Sequence, residues 1–155
     1  MELDLVRKEL NKYDEAIKNL ITLRMSLIPI VADVKVKNDL PLFQAKREDE
    51  IYKKIEIFAE ENGVDANLVK DIYKIIIANA LQIEESIVQD SKNSIINKDT
   101  DELKLSEIKK IFKKLDAILE DDIPKTIAEI KNSTDLKDLT LIDKATLYYN
   151  EKINK

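Results

Sequence analysis

Arginine is so sparse in this sequence that each one invites a chemical explanation. Of the 26 basic residues, only Arg7, Arg24 and Arg47 are arginine, and the rest are lysine. A guanidinium group presents a planar fork of donors that can bind a carboxylate or phosphate through two hydrogen bonds, whereas an ammonium group acts as a point charge. The three arginines are therefore candidate ligands for an anionic substrate. The alternative is that they form ordinary surface ion pairs.

One lysine is predicted to share a helix face with an arginine. At about 100° per residue, the 11-residue step from Arg24 to Lys35 returns to within roughly 20° of the same direction, three turns further along a helix. These two cations would line one groove. By the same arithmetic Arg7 lies on a different face, so it would point elsewhere, for example toward a neighbouring subunit.

An acid in an apolar helix is the remaining candidate. Glu84 follows Ala80 by four residues, within a segment rich in Ile, Leu and Ala. A buried carboxyl group tends to keep its proton, because burial disfavours the charged form, and a protonated carboxyl can donate a hydrogen bond at mild pH. The alternative is an exposed helix acid, since Glu85 follows directly and buried glutamates are rare.

The spacing of apolar residues predicts the helices that position these candidate residues. Apolar residues recur at helical spacing over about residues 3–37, which predicts one long helix with a kink at Pro29. After a loop around Pro41, a short helix is expected over about residues 46–61 and should end at the single glycine, Gly63.

A third helix and a helical extension should follow. Asp65 is a candidate N-cap for a long helix that runs to about residue 90. After a polar connection, apolar spacing over residues 108–119 predicts a fourth helix, Pro124 begins a fifth, and a last one runs from Asp135. The predicted fold is all-α: a long kinked helix, a short helix, a long helix and an extension of about three helices. We expect a single domain over residues 1–155, divided into a core (1–95) and the extension (96–155).

Composition narrows the possible chemistry. The chain has no cysteine and no histidine, which excludes disulfides, thiol and imidazole catalysis, the usual zinc sites and the Glu-x-x-His pairs of di-iron bundles. The net charge of −5, with both signs interspersed, argues against a nucleic-acid surface. No apolar run approaches the roughly 20 residues that span a bilayer, and the start lacks a signal-peptide core. The chain as written suits the cytoplasm, and export after signal removal is the alternative.

Several segments of the first 90 residues resemble the all-helical chorismate mutases. They are VRKEL with Arg7, Asp14, LRMSL with Arg24, VADVK with Lys35, the Pro41 loop, REDEI with Arg47 and Glu48, NGVDANLV, and IIIANALQIEES with Glu84. The resemblance implies a helical bundle, usually a homodimer, that rearranges chorismate to prephenate. It implies no cofactor, no metal and no covalent intermediate.

The resemblance also implies roles for individual residues. Arg24 would bind one carboxylate of the dianionic substrate, and Arg47 would help with the ring carboxylate. Lys35 would donate to the ether oxygen whose bond to carbon breaks. Glu48 would accept from the ring hydroxyl. Glu84 matches a position where the family has Gln or Glu, and it would donate to the same ether oxygen, for which it must be protonated.

Some features depart from the simple bacterial members. Ala80 stands where they have a substrate-contacting serine, and Gln44 replaces a common acid. The extension resembles a longer, often exported subclass in which a basic residue of a later helix completes the site within one chain, and Lys109 is the candidate here. In the simple dimers Arg7 would instead reach into the partner's site. Both alternatives stay open.

Two other functions fit the same pattern. Isochorismate-pyruvate lyases share the helical scaffold and a comparable cationic pocket, and the extension favours a mutase only modestly. A non-catalytic helical interaction module would carry the arginines as surface charges. Such a module would not bind a dicarboxylate mimic of the transition state.

Overall fold

The computed structural model describes residues 1–92, 106, 109–110, 112–114, 116–117 and 122–153. Within these residues every regular element is an α-helix, which confirms the predicted all-α class. Between residues 92 and 122 the described residues are also helical, and within the predicted fourth helix they are residues 109–110, 112–114 and 116–117. The rest of that predicted helix lies outside the described residues. The named helices are α1 (Glu2–Ser26), α2 (Ile28–Lys37), α3 (Ala45–Asn62), α4 (Ala66–Lys92), α5 (Asp122–Lys131) and α6 (Leu141–Ile153).

The predicted kink of the first helix is confirmed as a bend at Leu27, between α1 and α2. Pro29 lies in the first turn of α2. It has no N–H to donate to the carbonyl of Met25, four residues earlier, and its ring crowds that carbonyl. The backbone tightens there, and the N–H of Leu27 donates to the carbonyl of Arg24 at 3.2 Å. Leu27 itself keeps nearly helical angles (φ −83°, ψ −17°), so the chain bends without reversing.

The predicted boundary between α3 and α4 is confirmed, both at the helix-ending glycine Gly63 and at the N-cap residue Asp65. Gly63 adopts the left-handed conformation (φ 73°), and its N–H donates to the carbonyl of Ala59 at 2.9 Å. Glycine suits this position because it has no Cβ to clash with the backbone. Two residues later, Asp65 Oδ1 accepts a hydrogen bond from the N–H of Asn67 at 2.9 Å, as an N-cap residue should.

The last helix begins later than the sequence predicts, at Leu141 and not at Asp135. A reciprocal pair of hydrogen bonds sets the true start. Thr140 Oγ1 accepts from the N–H of Asp143 at 3.2 Å, and Asp143 Oδ2 accepts from the N–H of Thr140 at 3.4 Å. This is a capping box, which fixes Thr140 as the residue before the helix. By contrast, α5 begins at Asp122 with Pro124 in its first turn, as predicted.

The chain forms two compact units, each with a small buried core. The first unit comprises Met1–Leu42 and Gln82–Ile123, and the second comprises Phe43–Leu81 and Pro124–Lys155. The predicted single domain stays a prediction. Among the described residues, the apolar side chains buried in the first unit are Ile28 and Ala32, and those buried in the second are Ile55, Ala59, Ala80 and Ile130.

An apolar stripe on α1 lies open to solvent in the single chain. α1 buries none of its 25 residues, although its sequence alternates apolar and polar residues at helical spacing. None of the described helices combines the length and apolar character needed to cross a bilayer. The stripe, each member of which is at least 40% exposed, consists of Leu3, Leu5, Val6, Leu10, Ile17, Leu20 and Ile21.

Gly63→Ala is expected to lower the free energy of unfolding by about 1–3 kcal/mol. A residue with a Cβ costs about 1–2 kcal/mol in the left-handed region. The new Cβ would also lie 2.6 Å from Thr140 Oγ1, so neighbouring atoms must shift. Urea unfolding followed by far-UV circular dichroism measures the change. Glu60→Ala, at an exposed position of α3, is the control, and it should change the free energy by less than about 0.5 kcal/mol. Equal values for the two variants would contradict the prediction.

Candidate active site

Lys35 and Glu84 form an ion pair in the first unit. Lys35 Nζ donates to Glu84 Oε1 at 2.9 Å and to the backbone carbonyl of Leu42 at 2.7 Å. The two side chains are only 16% and 6% exposed. Among the described residues, Glu84 is the one buried charged residue. The burial predicted for Glu84 is therefore confirmed, and the pair is largely removed from solvent.

The helices explain how these side chains come to be buried. Lys35 lies in the last turn of α2, where the negative end of the helix dipole favours a cation. Glu84 lies one turn after Ala80 on α4, and both residues are buried. Because residues four apart share a helix face, the buried face of α4 carries the carboxyl group inward with it.

The pair is expected to contribute little to the stability of the fold. Burying two charges costs much of their solvation free energy, so such a pair adds little net stability compared with apolar side chains of similar size. Lys35 and Glu84 are therefore candidates for a role other than stability. An ammonium group has three N–H bonds, and Glu84 and Leu42 take two of them. The third N–H of Lys35 can donate to an oxygen of a bound ligand.

Arg24 belongs to the same unit and is half-buried in the last turn of α1. Its Nη1 atom is shielded from solvent. A guanidinium group keeps its positive charge at every physiological pH and offers paired donors. The first unit therefore holds two partly buried cations, those of Arg24 and Lys35, on either side of the bend at Leu27.

The second unit carries two more of the predicted ligands, Arg47 and Glu48. Both lie in the first turn of α3, where their N–H groups donate to the carbonyl of Gln44 at 3.1 and 3.2 Å. Arg47 is exposed, and its Nη1 lies 4.0 Å from Glu50 Oε2. Glu48 is half-buried, and the positive end of the helix dipole favours its carboxylate.

The two alternative ligands from the ends of the sequence, Arg7 and Lys109, are both exposed. Arg7 lies near the start of α1, and Lys109 lies among the helical residues between α4 and α5. The choice between them stays a prediction. As for metals, the described residues contain no group of three or more acidic side chains placed to hold an ion.

One contact of the candidate site is absent from the sequence predictions, namely the carbonyl of Leu42 that accepts from Lys35. A backbone oxygen has no residue-type signature, so no spacing argument could select it. The only available signal was its position just after Pro41, in the loop that follows Lys35. The family resemblance implies that Lys35 and Glu84 donate to the same substrate oxygen, but it did not predict the direct contact between these two side chains.

Comparison with known proteins gives the family. The sequence profile described as chorismate mutase type II matches residues 6–85, which is 80 of the 155 residues. The chain belongs to this family. The match includes Arg7, Arg24, Lys35, Arg47, Glu48 and Glu84, and it stops before the extension.

Three relatives illustrate the range of the chorismate mutase type II family. The chain is 30% identical over 88 residues to a chorismate mutase of Methanocaldococcus jannaschii, covering 57% of this chain and 89% of the relative. It is 28% identical over 92 residues to a bifunctional chorismate mutase/prephenate dehydratase of Buchnera aphidicola, covering 59% of this chain and 22% of the relative. It is 35% identical over 89 residues to the bifunctional enzyme of Aquifex aeolicus, covering 56% of this chain and 25% of the relative. No solved structure matches the chain.

Proposed function

We propose that this protein is a chorismate mutase, which rearranges chorismate to prephenate. The observation that carries the proposal is the buried pair of Lys35 and Glu84, two polar groups with donor capacity held within the family match. A reaction that develops negative charge on one substrate oxygen needs such preorganised donors in a site that excludes water. The relative from Methanocaldococcus jannaschii, most of whose length this chain spans, is a chorismate mutase.

The rearrangement is a concerted pericyclic step, so the protein supplies orientation and charge. Binding the chair-like conformer converts a rare solution geometry into the bound one, which is the orientation component of catalysis. As the carbon–oxygen bond breaks, the ether oxygen becomes enolate-like. Lys35 and a protonated Glu84 would donate to that oxygen, and these hydrogen bonds strengthen in the transition state.

The substrate's carboxylates and hydroxyl group require further ligands. We assign Arg24 to one carboxylate and Arg47 to the ring carboxylate, because guanidinium forks match carboxylates in geometry and charge. Glu48 would accept the hydrogen bond of the ring hydroxyl. These roles are supported by the family membership and by the partial burial of Arg24 and Glu48.

We also propose that the protein is a homodimer whose contact includes α1. The apolar stripe of α1 is the support, since a helix with a long apolar face ordinarily buries it against a partner. Arg7 lies on the same helix, directly after Val6 of this stripe, and would reach the partner's site. Lys109 remains the alternative, as in the longer subclass that completes its site within one chain.

Arg7→Ala is expected to raise KM for chorismate by about 10-fold or more, because a lost charge-assisted hydrogen bond to a carboxylate costs about 1.5–3 kcal/mol. Lys109→Ala should leave KM within about twofold of wild type, as a neutral surface substitution would. Steady-state kinetics on both variants makes the comparison, and sedimentation velocity establishes that each keeps the wild-type oligomeric state. The opposite ranking would place Lys109 in the pocket and make Arg7 structural.

The direct test is the loss of chorismate absorbance on addition of purified protein, with prephenate identified as the product. Saturable turnover is expected. Folded protein without turnover would contradict the mutase proposal, and isochorismate would then be supplied to look for pyruvate release. Failure of both reactions, together with no binding of a dicarboxylate transition-state mimic, would leave the non-catalytic interaction module.

A further inference from the structure

The turn that ends α2 has an unusual backbone conformation. The N–H of Leu40 donates to the carbonyl of Lys35 at 2.8 Å, and the N–H of Asp39 donates to the carbonyl of Val36 at 3.2 Å. These are the two hydrogen bonds of a Schellman motif, which needs a left-handed residue just past the helix cap. Asp39 supplies it with φ 52° and is the one non-glycine residue with positive φ in the described part of the chain. Aspartate tolerates this region better than most residues do, although glycine is the usual choice.

This turn brings the Leu42 carbonyl to the ammonium group of Lys35. The chain folds back over the end of α2, and the Leu42 carbonyl accepts from Lys35 Nζ at 2.7 Å. Lys35 is thus held twice by the same loop, since its own carbonyl accepts from Leu40 and its side chain donates to Leu42. Pro41, between these two residues, fixes its own φ and restricts the residue before it. The loop has few alternative conformations that keep both contacts.

Lys35 needs such a fixed acceptor because its side chain has many rotamers. Its other acceptor is Glu84, which under the proposed function carries a proton and donates a hydrogen bond to the ether oxygen of the substrate. A protonated carboxyl holds an ammonium group less firmly than a carboxylate does. The Leu42 carbonyl does not titrate, so it keeps Lys35 in place throughout the reaction.

We propose that Asp39 is a positioning residue for Lys35. Its left-handed conformation places the Leu42 carbonyl, and that carbonyl aims the Lys35 ammonium at the substrate. The inference rests on the proposed function. It assigns a role in the reaction to a loop residue that would not itself touch chorismate.

Three substitutions at Asp39 separate backbone conformation from charge. Asp39→Val places a β-branched residue where φ is positive, which strongly opposes the left-handed conformation. Asp39→Asn removes the negative charge, and asparagine tolerates the left-handed conformation as aspartate does. Asp39→Gly adopts this conformation most readily. For the valine variant, kcat should fall about 10-fold, because a displaced donor loses orientation. KM should stay within about twofold, since the arginines still bind the carboxylates. The asparagine and glycine variants should retain most of the wild-type kcat.

Each outcome decides the proposal once wild-type turnover is measured and far-UV circular dichroism shows each variant folded. Wild-type kcat in folded Asp39→Val overturns it, as does a change in KM alone. An asparagine variant as impaired as the valine variant also overturns it, because the charge would then be responsible. If the valine variant does not fold, Asp39→Ala replaces it, with a smaller loss of kcat expected and an unchanged kcat again overturning the proposal. A wild-type protein without turnover overturns the proposed function itself, and this inference with it.

Discussion

Lys35→Ala is expected to lower kcat for chorismate rearrangement by about 10²–10³-fold, the typical effect of removing one preorganised donor from a developing oxyanion. The ammonium group is fixed by Glu84 and by the Leu42 carbonyl before substrate binds. This donor therefore need not be reoriented when negative charge develops on the ether oxygen. The loss should fall mainly on kcat, because a contact made chiefly in the transition state contributes little to ground-state binding.

The control for this variant is Lys37→Ala. Lys37 lies two residues further along α2 and pairs with Asp33 at 3.1 Å, so its substitution removes the same charge from the same helix turn. It should leave kcat within about twofold of wild type.

Lys35→Ala also leaves Glu84 buried without its cation, which destabilises the fold. Assays therefore belong at temperatures where circular dichroism shows the variant folded. Near-normal turnover in folded Lys35→Ala would remove Lys35 from the active site.

Glu84→Ala is expected to lower kcat for chorismate rearrangement by about 10²–10³-fold, the typical effect of removing one preorganised donor from a developing oxyanion. Glu84 Oε1 accepts from Lys35 in the ligand-free protein, but to donate to the ether oxygen the carboxyl group must carry a proton. A glutamine amide donates through its own N–H groups, so Glu84→Gln should keep most of the wild-type kcat.

Glu85→Ala is the matched control, because Glu85 is the neighbouring residue on α4 and is exposed. It should leave kcat within about twofold of wild type, as an exposed substitution usually does. Steady-state kinetics compare the four proteins at temperatures where circular dichroism shows each one folded. Near-normal turnover in folded Glu84→Ala, or a Glu84→Gln variant as impaired as Glu84→Ala, would contradict the donor role of Glu84.

Local signals explain why most helix boundaries were predictable. Gly63 ends α3 and Asp65 caps α4 where the sequence indicates, because left-handed and N-cap positions select residue types directly. The late start of α6 was predicted wrongly at Asp135. The Thr-x-x-Asp pattern of the capping box at Thr140 and Asp143 marks the true start. Helical spacing carries no such signal, because it does not identify the residue that caps a helix.

The sequence by itself determined the all-α class, the family and the residue types of the candidate site. Periodicity, the scarcity of arginine and the quoted motifs are properties of short segments, so they need no tertiary information. Only the tertiary structure decided that Lys35 and Glu84, 49 residues apart, contact each other. It also decided that the third partner is a carbonyl, that of Leu42. Contacts between distant residues depend on how helices pack, and a backbone oxygen is the same in every residue, so neither could be read from residue types or spacing.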